Sequence, residues 1–306
     1  MATRTAAPSQ PLRPLALAAA LGVCAVAPVW FVAESFWPGV VLAVAGLVLA
    51  FCADRARGLF HGSGGGQAAA SGAGDGQAAA APGDRAPSLL RDLSLVVMGL
   101  GIVRTIPLAA QLDNAAMLRF TLALGGAVLV PYLVSRFVYR DRAIGFPWRA
   151  RTRWGAFHWG WLGAVLVLGW LILPWYFMSS GVYLNWPAVD SSDLIGRLFI
   201  GVGAVGIWDE LFFICTVFAV LLRHFPVWVA NALQAIVFVS FLWELGYRSW
   251  GPLLTVPFAL IQGLIFLRSR SLGYVVTVHL LFDAVVFAVL VHAHNPELFN
   301  VFLTAP

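Results

Sequence analysis

Runs of about twenty apolar residues recur along almost the whole chain, and they leave few folds open to it. A bilayer's hydrocarbon core is about 30 Å thick, so about 20 helical residues cross it. No water is available there to pair exposed backbone groups, so a chain of long apolar runs must span as helices. Nine such runs are readable, at 15–33, 38–53, 93–112, 116–137, 157–178, 194–222, 227–245, 252–267 and 272–294. The second is short for a full crossing. The expectation is therefore an all-α fold, a polytopic transmembrane helical bundle of about eight or nine spans. Composition agrees: 60% of residues are hydrophobic and 11% are charged, against about 25% charged in soluble domains.

The net charge is +5, which could suggest a nucleic-acid partner. All 19 basic residues are arginine, however, and they collect in alternate short loops. Arg4 and Arg13 precede the first run, and Arg55, Arg57, Arg85 and Arg91 follow the second. Arg136, Arg140, Arg142, Arg149, Arg151 and Arg153 follow the fourth, Arg223 the sixth, and Arg268 and Arg270 the eighth. Cytoplasmic loops are enriched in this way, so the pattern reads as topology, with the N-terminus cytoplasmic and no nucleic acid involved. Cys24, Cys52 and Cys215 are scattered singly and form no disulfide or metal-ligand spacing. Ala25-Val26-Ala27 resembles a signal-peptide cleavage site, but Pro28 follows it directly, so the first span is read as uncleaved.

Residues 61–92 contain a Gly/Ala-rich stretch with Gly-Gln-Ala-Ala-Ala at 66–70 and again at 76–80. It has no apolar period to bury and reads as a disordered linker. The chain then divides into an N-terminal transmembrane hairpin (1–60), the linker (61–92), two further spans with an Arg-rich loop (93–153), and a core (154–306).

Ionisable residues within the last runs carry the chemistry. Asp209 and Glu210 lie in the sixth run, Glu244 in the seventh, and His279 with Asp283 in the ninth. A charged group at membrane depth costs about 2.5–3.5 kcal/mol on insertion scales, so each such residue is a functional-site candidate. Asp209 and Glu210 are adjacent and point about 100° apart on a helix, so only one is expected to face a given spot. Hydrogen bonding of Glu210 to Gln234, Asn231 or Arg104 would be a purely structural alternative. His279 and Asp283, four apart, share a helix face, where they could bind one metal or simply pin two helices together. Glu244 lies near the outer end of its run and could be interfacial, or paired with Arg248. His158, His224, His292 and His294 stand at run ends, where snorkelling is the ordinary explanation.

Three segments in this order resemble the CAAX protease and bacteriocin-processing family (CPBP, or Abi) of intramembrane metalloproteases. Trp208-Asp209-Glu210-Leu211-Phe212-Phe213 looks like that family's Glu-Glu-x-x-x-Arg motif, with Ile214 in place of the arginine. Phe241-Leu242-Trp243-Glu244-Leu245 falls where Phe-x-x-x-His belongs, with Leu245 in place of the histidine. His279-Leu280-Leu281-Phe282-Asp283 fits His-x-x-x-Asn/Asp. The resemblance covers about residues 157–295.

It implies a metal-dependent endopeptidase, with catalytic residues Asp209, Glu210, His279 and Asp283. Glu210 would be general base and His279 a metal or oxyanion ligand. A divalent metal (Zn, or Mn or Mg) would be held by Glu210, His279 and Asp283, and Glu244 is conjectured here, beyond the resemblance, to substitute for the missing histidine as a fourth ligand. That substitution requires a kinked or re-entrant seventh helix, because Glu244 otherwise lies about 10 Å further along than Glu210. The partners would be the lipid bilayer and a membrane-associated peptide or protein, and the location a bacterial plasma membrane. Loss of the motif arginine and histidine keeps a second reading open, a catalytically inactive adaptor or immunity-type protein. A transporter is disfavoured because no internal repeat is visible.

Overall fold

The computed structural model describes residues 13–62, 87–149 and 153–304, excepting the side chains of 58–62. Nine long helices contain nearly all of the regular structure, and no strand occurs among the described residues. We number them α1 (Pro14–Val32), α2 (Phe36–Gly62), α3 (Leu89–Val103), α4 (Asn114–Val138), α5 (Ala156–Ser179), α6 (Ser192–Leu221), α7 (Val227–Leu245), α8 (Pro252–Ser269) and α9 (Leu272–His294). All except α3 are long and apolar enough to cross a membrane. The helical bundle expected from the apolar runs is the observed architecture.

The third run departs from expectation. A 20-residue span was expected over 93–112, but α3 begins earlier and stops after 15 residues. Its start is fixed by two side chains: Ser88 accepts from the backbone N–H of Arg91, and Asp54 of α2 accepts from those of Leu89 and Leu90. Its end follows from Pro107, which biases the residue before it away from helical geometry and has no N–H to donate. Fifteen residues rise about 22 Å, less than the hydrocarbon thickness. The second run departs the other way, continuing to Gly62 and comfortably long enough to cross. Most of the expected linker, 63–86, lies outside the described residues.

The centre of the bundle is α6. Of its span 72% is buried, against 22% for α2 and for α4, so α6 is the inner helix and those two face lipid. It packs against α4, α7, α8 and α9. Phe212, Phe213, Phe218, Phe238 and Phe241 form a fully buried aromatic core between α6 and α7. Trp208 stacks on Phe212 at 5.1 Å and donates its indole N–H to the carbonyl of Leu124 on α4 at 2.7 Å. The N-terminal hairpin is not a detached piece. Its α1 packs along α7, and α2 packs on α3.

One end of the bundle is locked by a buried ionic cluster. Arg223, just after α6, donates to Asp92 of α3 at 2.9 Å and to Asp141 beyond α4 at 2.7 Å. His224 Nε2 lies 2.6 Å from the other Asp92 oxygen. His224 is thus a buried structural residue rather than a snorkelling one, and His292 is likewise buried, against the carbonyl of Leu298. At the opposite end α7 closes on Gly246, whose φ of +136° a side chain would strain.

Candidate functional site

The sixth helix changes character at Glu210. From Ser192 to Asp209 it is α-helical, and from Glu210 to Phe218 it is a π-helix. Such widened turns are rare and frequently mark functional sites. Here the change places Asp209 and Glu210 on either side of the His279 ring, which α9 inserts between α6 and α8.

His279 Nδ1 lies 2.7 Å from Glu210 Oε1, and His279 Nε2 lies 3.5 Å from Asp209 Oδ2. The expectation that only one member of the acidic pair could face a given spot is therefore corrected. An imidazole presents nitrogens on two edges, and adjacent carboxylates on separate rotamers reach one each. Asp283 completes the group, its Oδ1 3.9 Å from Nε2. All four side chains are buried.

Gln262, on α8, holds Glu210 in place. Its amide donates to Glu210 Oε1 at 2.7 Å and to the carbonyl of Val275 at 3.1 Å. Glu210 and Nδ1 are hydrogen-bonded on one edge of the His279 ring, which leaves Nε2 facing Asp209 and Asp283. Sequence reasoning placed Gln262 only in the segment leading to the third motif and gave it no role in the site, although it is the lone amide in the apolar run of α8. The structural partners suggested for Glu210 are engaged elsewhere. Gln234 donates to Asn231 and to the carbonyl of Ala259, and Asn231 donates to that of Leu260.

Close approach of α6 and α9 depends on Gly206. A Cβ there would overlap Asp283 Oδ2 and come within 3.1 Å of its Cγ and 3.3 Å of His279 Cδ2. Only glycine leaves room for the Asp283 carboxylate where it stands.

A cavity of about 350 Å³ opens onto the cluster. Asp209, His279 and Asp283 line it, whereas Glu210 sits behind the imidazole and does not. Its other walls are chiefly apolar, with Leu124, Leu198, Leu242 and Phe258 among them. Tyr247 also lines it, and burial, then the charges of Asp283 and Asp209, push its phenol well above the usual range. One oxygen each of Asp209, Glu210 and Asp283 has no hydrogen-bond partner despite being buried, as does Trp186 Nε1 on the cavity wall. Buried polar groups are ordinarily paired, so these atoms indicate a site that receives water or substrate.

Glu244 does not join the cluster. The seventh helix runs continuously to Leu245 with neither a kink nor a re-entrant turn, so Glu244 stays at its end. It lines a separate cavity with Glu34, Arg104 and Arg248. Arg248 does not pair with it but lies 3.9 Å from Glu34. Leu242 and Leu245 of α7 both line the main cavity, and Leu245 stands in the place of the motif histidine.

These placements decide the fit of a metal. Among the described residues no three His, Cys, Asp or Glu side chains are disposed to hold an ion. Glu210 is bonded to His279 and does not line the main cavity, and Glu244 is in another cavity. As placed, Glu210, Glu244, His279 and Asp283 do not converge on one ion position, and no chemical step below is routed through a metal.

Residues 191–285, from the start of α6 into α9, match the family described as Type II CAAX prenyl endopeptidase Rce1-like. The likeness to the CAAX protease family lies in this stretch. No curated protein and no solved structure matches it. The matched stretch contains Asp209, Glu210, His279 and Asp283 together with Gln262 and Gly206, so the family region and the buried cluster coincide. With eight candidate membrane spans, the protein is an integral membrane protein.

Proposed function

We propose that this protein is an intramembrane endopeptidase in which Asp209 and His279 activate water against a membrane-associated peptide. The observation that carries the proposal is the division of labour around the imidazole. Glu210 holds Nδ1 from behind, while Nε2 and the Asp209 carboxylate share the cavity wall 3.5 Å apart. This revises the role that the resemblance assigned to Glu210. A carboxylate closed off from the cavity cannot reach a water there, so Glu210 acts as a positioning residue and Asp209 as the base.

In the hydrolysis, water bound between Asp209 and Nε2 gives its proton to Asp209 as its oxygen adds to the peptide carbonyl. Nε2–H of the imidazolium donates to the developing oxyanion, and Asp283 stabilises that imidazolium from 3.9 Å. Collapse breaks the C–N bond, and Asp209 returns its proton to the leaving amine. The products are a new carboxylate and a new amine, with no co-reactant beyond water. The apolar walls exclude bulk water, which strengthens each of these interactions.

The test is cleavage in proteoliposomes. Lipid-anchored peptides are incubated with wild-type protein and with Asp209→Asn, and the products are read by mass spectrometry. Cleavage by wild type alone supports the proposal. A wild-type protein that binds such peptides and leaves them whole would favour the adaptor reading, which Leu245 at the missing histidine's position also favours.

A further inference from the structure

The second cavity, at the end of the bundle opposite Arg223, has about 470 Å³ of space and a different chemistry. Four of its lining residues are charged: Glu34 between α1 and α2, Arg104 at the end of α3, Glu244 in the last turn of α7, and Arg248 just beyond it. In a chain with 11% charged residues, four converging from three separate connections are an assembled group and not chance surface.

The two inner charges, Arg104 and Glu244, feel each other but close no ion pair. Glu244 lies against the backbone amide of Leu108 through one oxygen, while its Oε2 is buried without a partner. Arg104 Nε is also buried without a partner. Among the described residues, the ion pair recorded in this cavity is the long Arg248–Glu34 contact at 3.9 Å. Opposite charges that line one cavity and do not close on each other leave room for something between them. A buried ionised group without a partner is expensive, so a ligand that meets both is favoured over an empty gap.

The charges are two positive and two negative. An anion alone would satisfy the arginines and be repelled by the carboxylates, and a simple cation would do the reverse. A ligand carrying both charges on adjacent arms meets all four. The depth is also informative. Glu34 is flanked by exposed Val32, Phe36 and Trp37, and a tryptophan such as Trp37 settles at headgroup level.

We propose that this cavity binds a primary ammonium joined to a phosphate, as in phosphoethanolamine, whether free or as an aminophospholipid headgroup. The ammonium meets Glu244 and Glu34, and the phosphate meets Arg104 and Arg248. A primary ammonium gives Glu244 the N–H donor its open oxygen lacks, which a choline group cannot. This site is independent of the hydrolase reading, since it shares no residue with the Asp209–His279 cavity.

The experiment uses the full chain in phosphatidylcholine nanodiscs, with the thermal midpoint as readout. Phosphatidylethanolamine is added in one arm, and O-phosphoethanolamine, ethanolamine or inorganic phosphate in the others. Phosphatidylglycerol is the anionic control. A saturable rise of at least about 3 °C with either phosphoethanolamine source is expected, and the responding arm tells lipid from free ligand. Glu244→Gln and the exposed Arg248→Gln should each remove at least half of the rise, and Glu297→Gln none. Equal rises with phosphate alone or with phosphatidylglycerol would overturn the proposal. So would a rise that survives both cavity variants, or no rise at all.

Discussion

Gly206→Ala separates the architecture of the site from the stability of the fold. An added Cβ at 206 overlaps the Asp283 carboxylate, with Asp283 Cγ at 3.1 Å and His279 Cδ2 at 3.3 Å. The obstructed atoms are the end of a side chain, so the carboxylate can swing away by about 1 Å without moving α9. At an effective dielectric of about 20, two charges 4 Å apart interact by about 4 kcal/mol, and an extra 1 Å weakens that by about 1 kcal/mol. Replacing glycine by alanine inside a helix contributes about 1 kcal/mol in the opposite direction. The two nearly cancel. Gly206→Ala should therefore change unfolding stability by less than about 1 kcal/mol while lowering peptide cleavage about 100-fold, the usual scale for a 1 Å misplacement. The assay is the proteoliposome cleavage rate beside thermal unfolding, with Gly196→Ala of the same helix as control, since a Cβ there meets nothing within 4 Å. A Gly206→Ala protein with wild-type cleavage would refute the role given to Asp283.

Arg223→Met should destabilise the protein by about 3 kcal/mol in equilibrium unfolding. It strips a cation from two largely buried carboxylates, and a loss below 1 kcal/mol would show that the cluster is not a lock. Adding Asp92→Asn to that variant should restore part of the loss. Gln262→Leu should slow cleavage at least tenfold with a smaller effect on stability, because it frees the Glu210 oxygen that orients His279. Unchanged cleavage would remove Gln262 from the site. Asp113 caps α4, and the backbone amides of Ala116 and Ala115 hold its carboxyl below the usual carboxylate range. A depressed folded value means that this stabilisation is full above the unfolded value of about 3.9 and is lost as pH falls through the folded one. Asp113→Ala should thus lower the thermal midpoint at pH 7, with the difference closing in acid.

Most of the fold was legible because apolar run length is a direct physical requirement of the bilayer. The third helix was misjudged because hydropathy continues through Leu108 to Leu112, while the backbone stops at Arg104 on account of Pro107. The order Asp209–Glu210, His279, Asp283 was enough to anticipate one buried group, since ionisable residues at that depth need partners. What the sequence hid was direction. The π-helical turn at Glu210 decides which carboxylate meets which ring nitrogen, and nothing in Glu-Leu-Phe-Phe announces it. Glu244 was drawn toward the cluster by its place beside a missing motif residue, although its helix end puts it in another cavity. Gln262 and the Arg223–Asp92–His224 lock depend on contacts between residues 52 and 131 or more positions apart, which no local pattern encodes.

The central claim is that Asp209 faces the cavity and acts on water while Glu210 stands behind His279 and orients it. The most direct measurement is the single-turnover cleavage rate of wild type, Asp209→Asn and Glu210→Gln in ¹⁸O water, with ¹⁸O in the new carboxylate confirming hydrolysis. The account predicts loss of more than about 1,000-fold for Asp209→Asn and a smaller loss, about 10- to 100-fold, for Glu210→Gln, in keeping with the usual scale of general-base catalysis. An Asp209→Asn protein that cleaves normally beside an inert Glu210→Gln would contradict it.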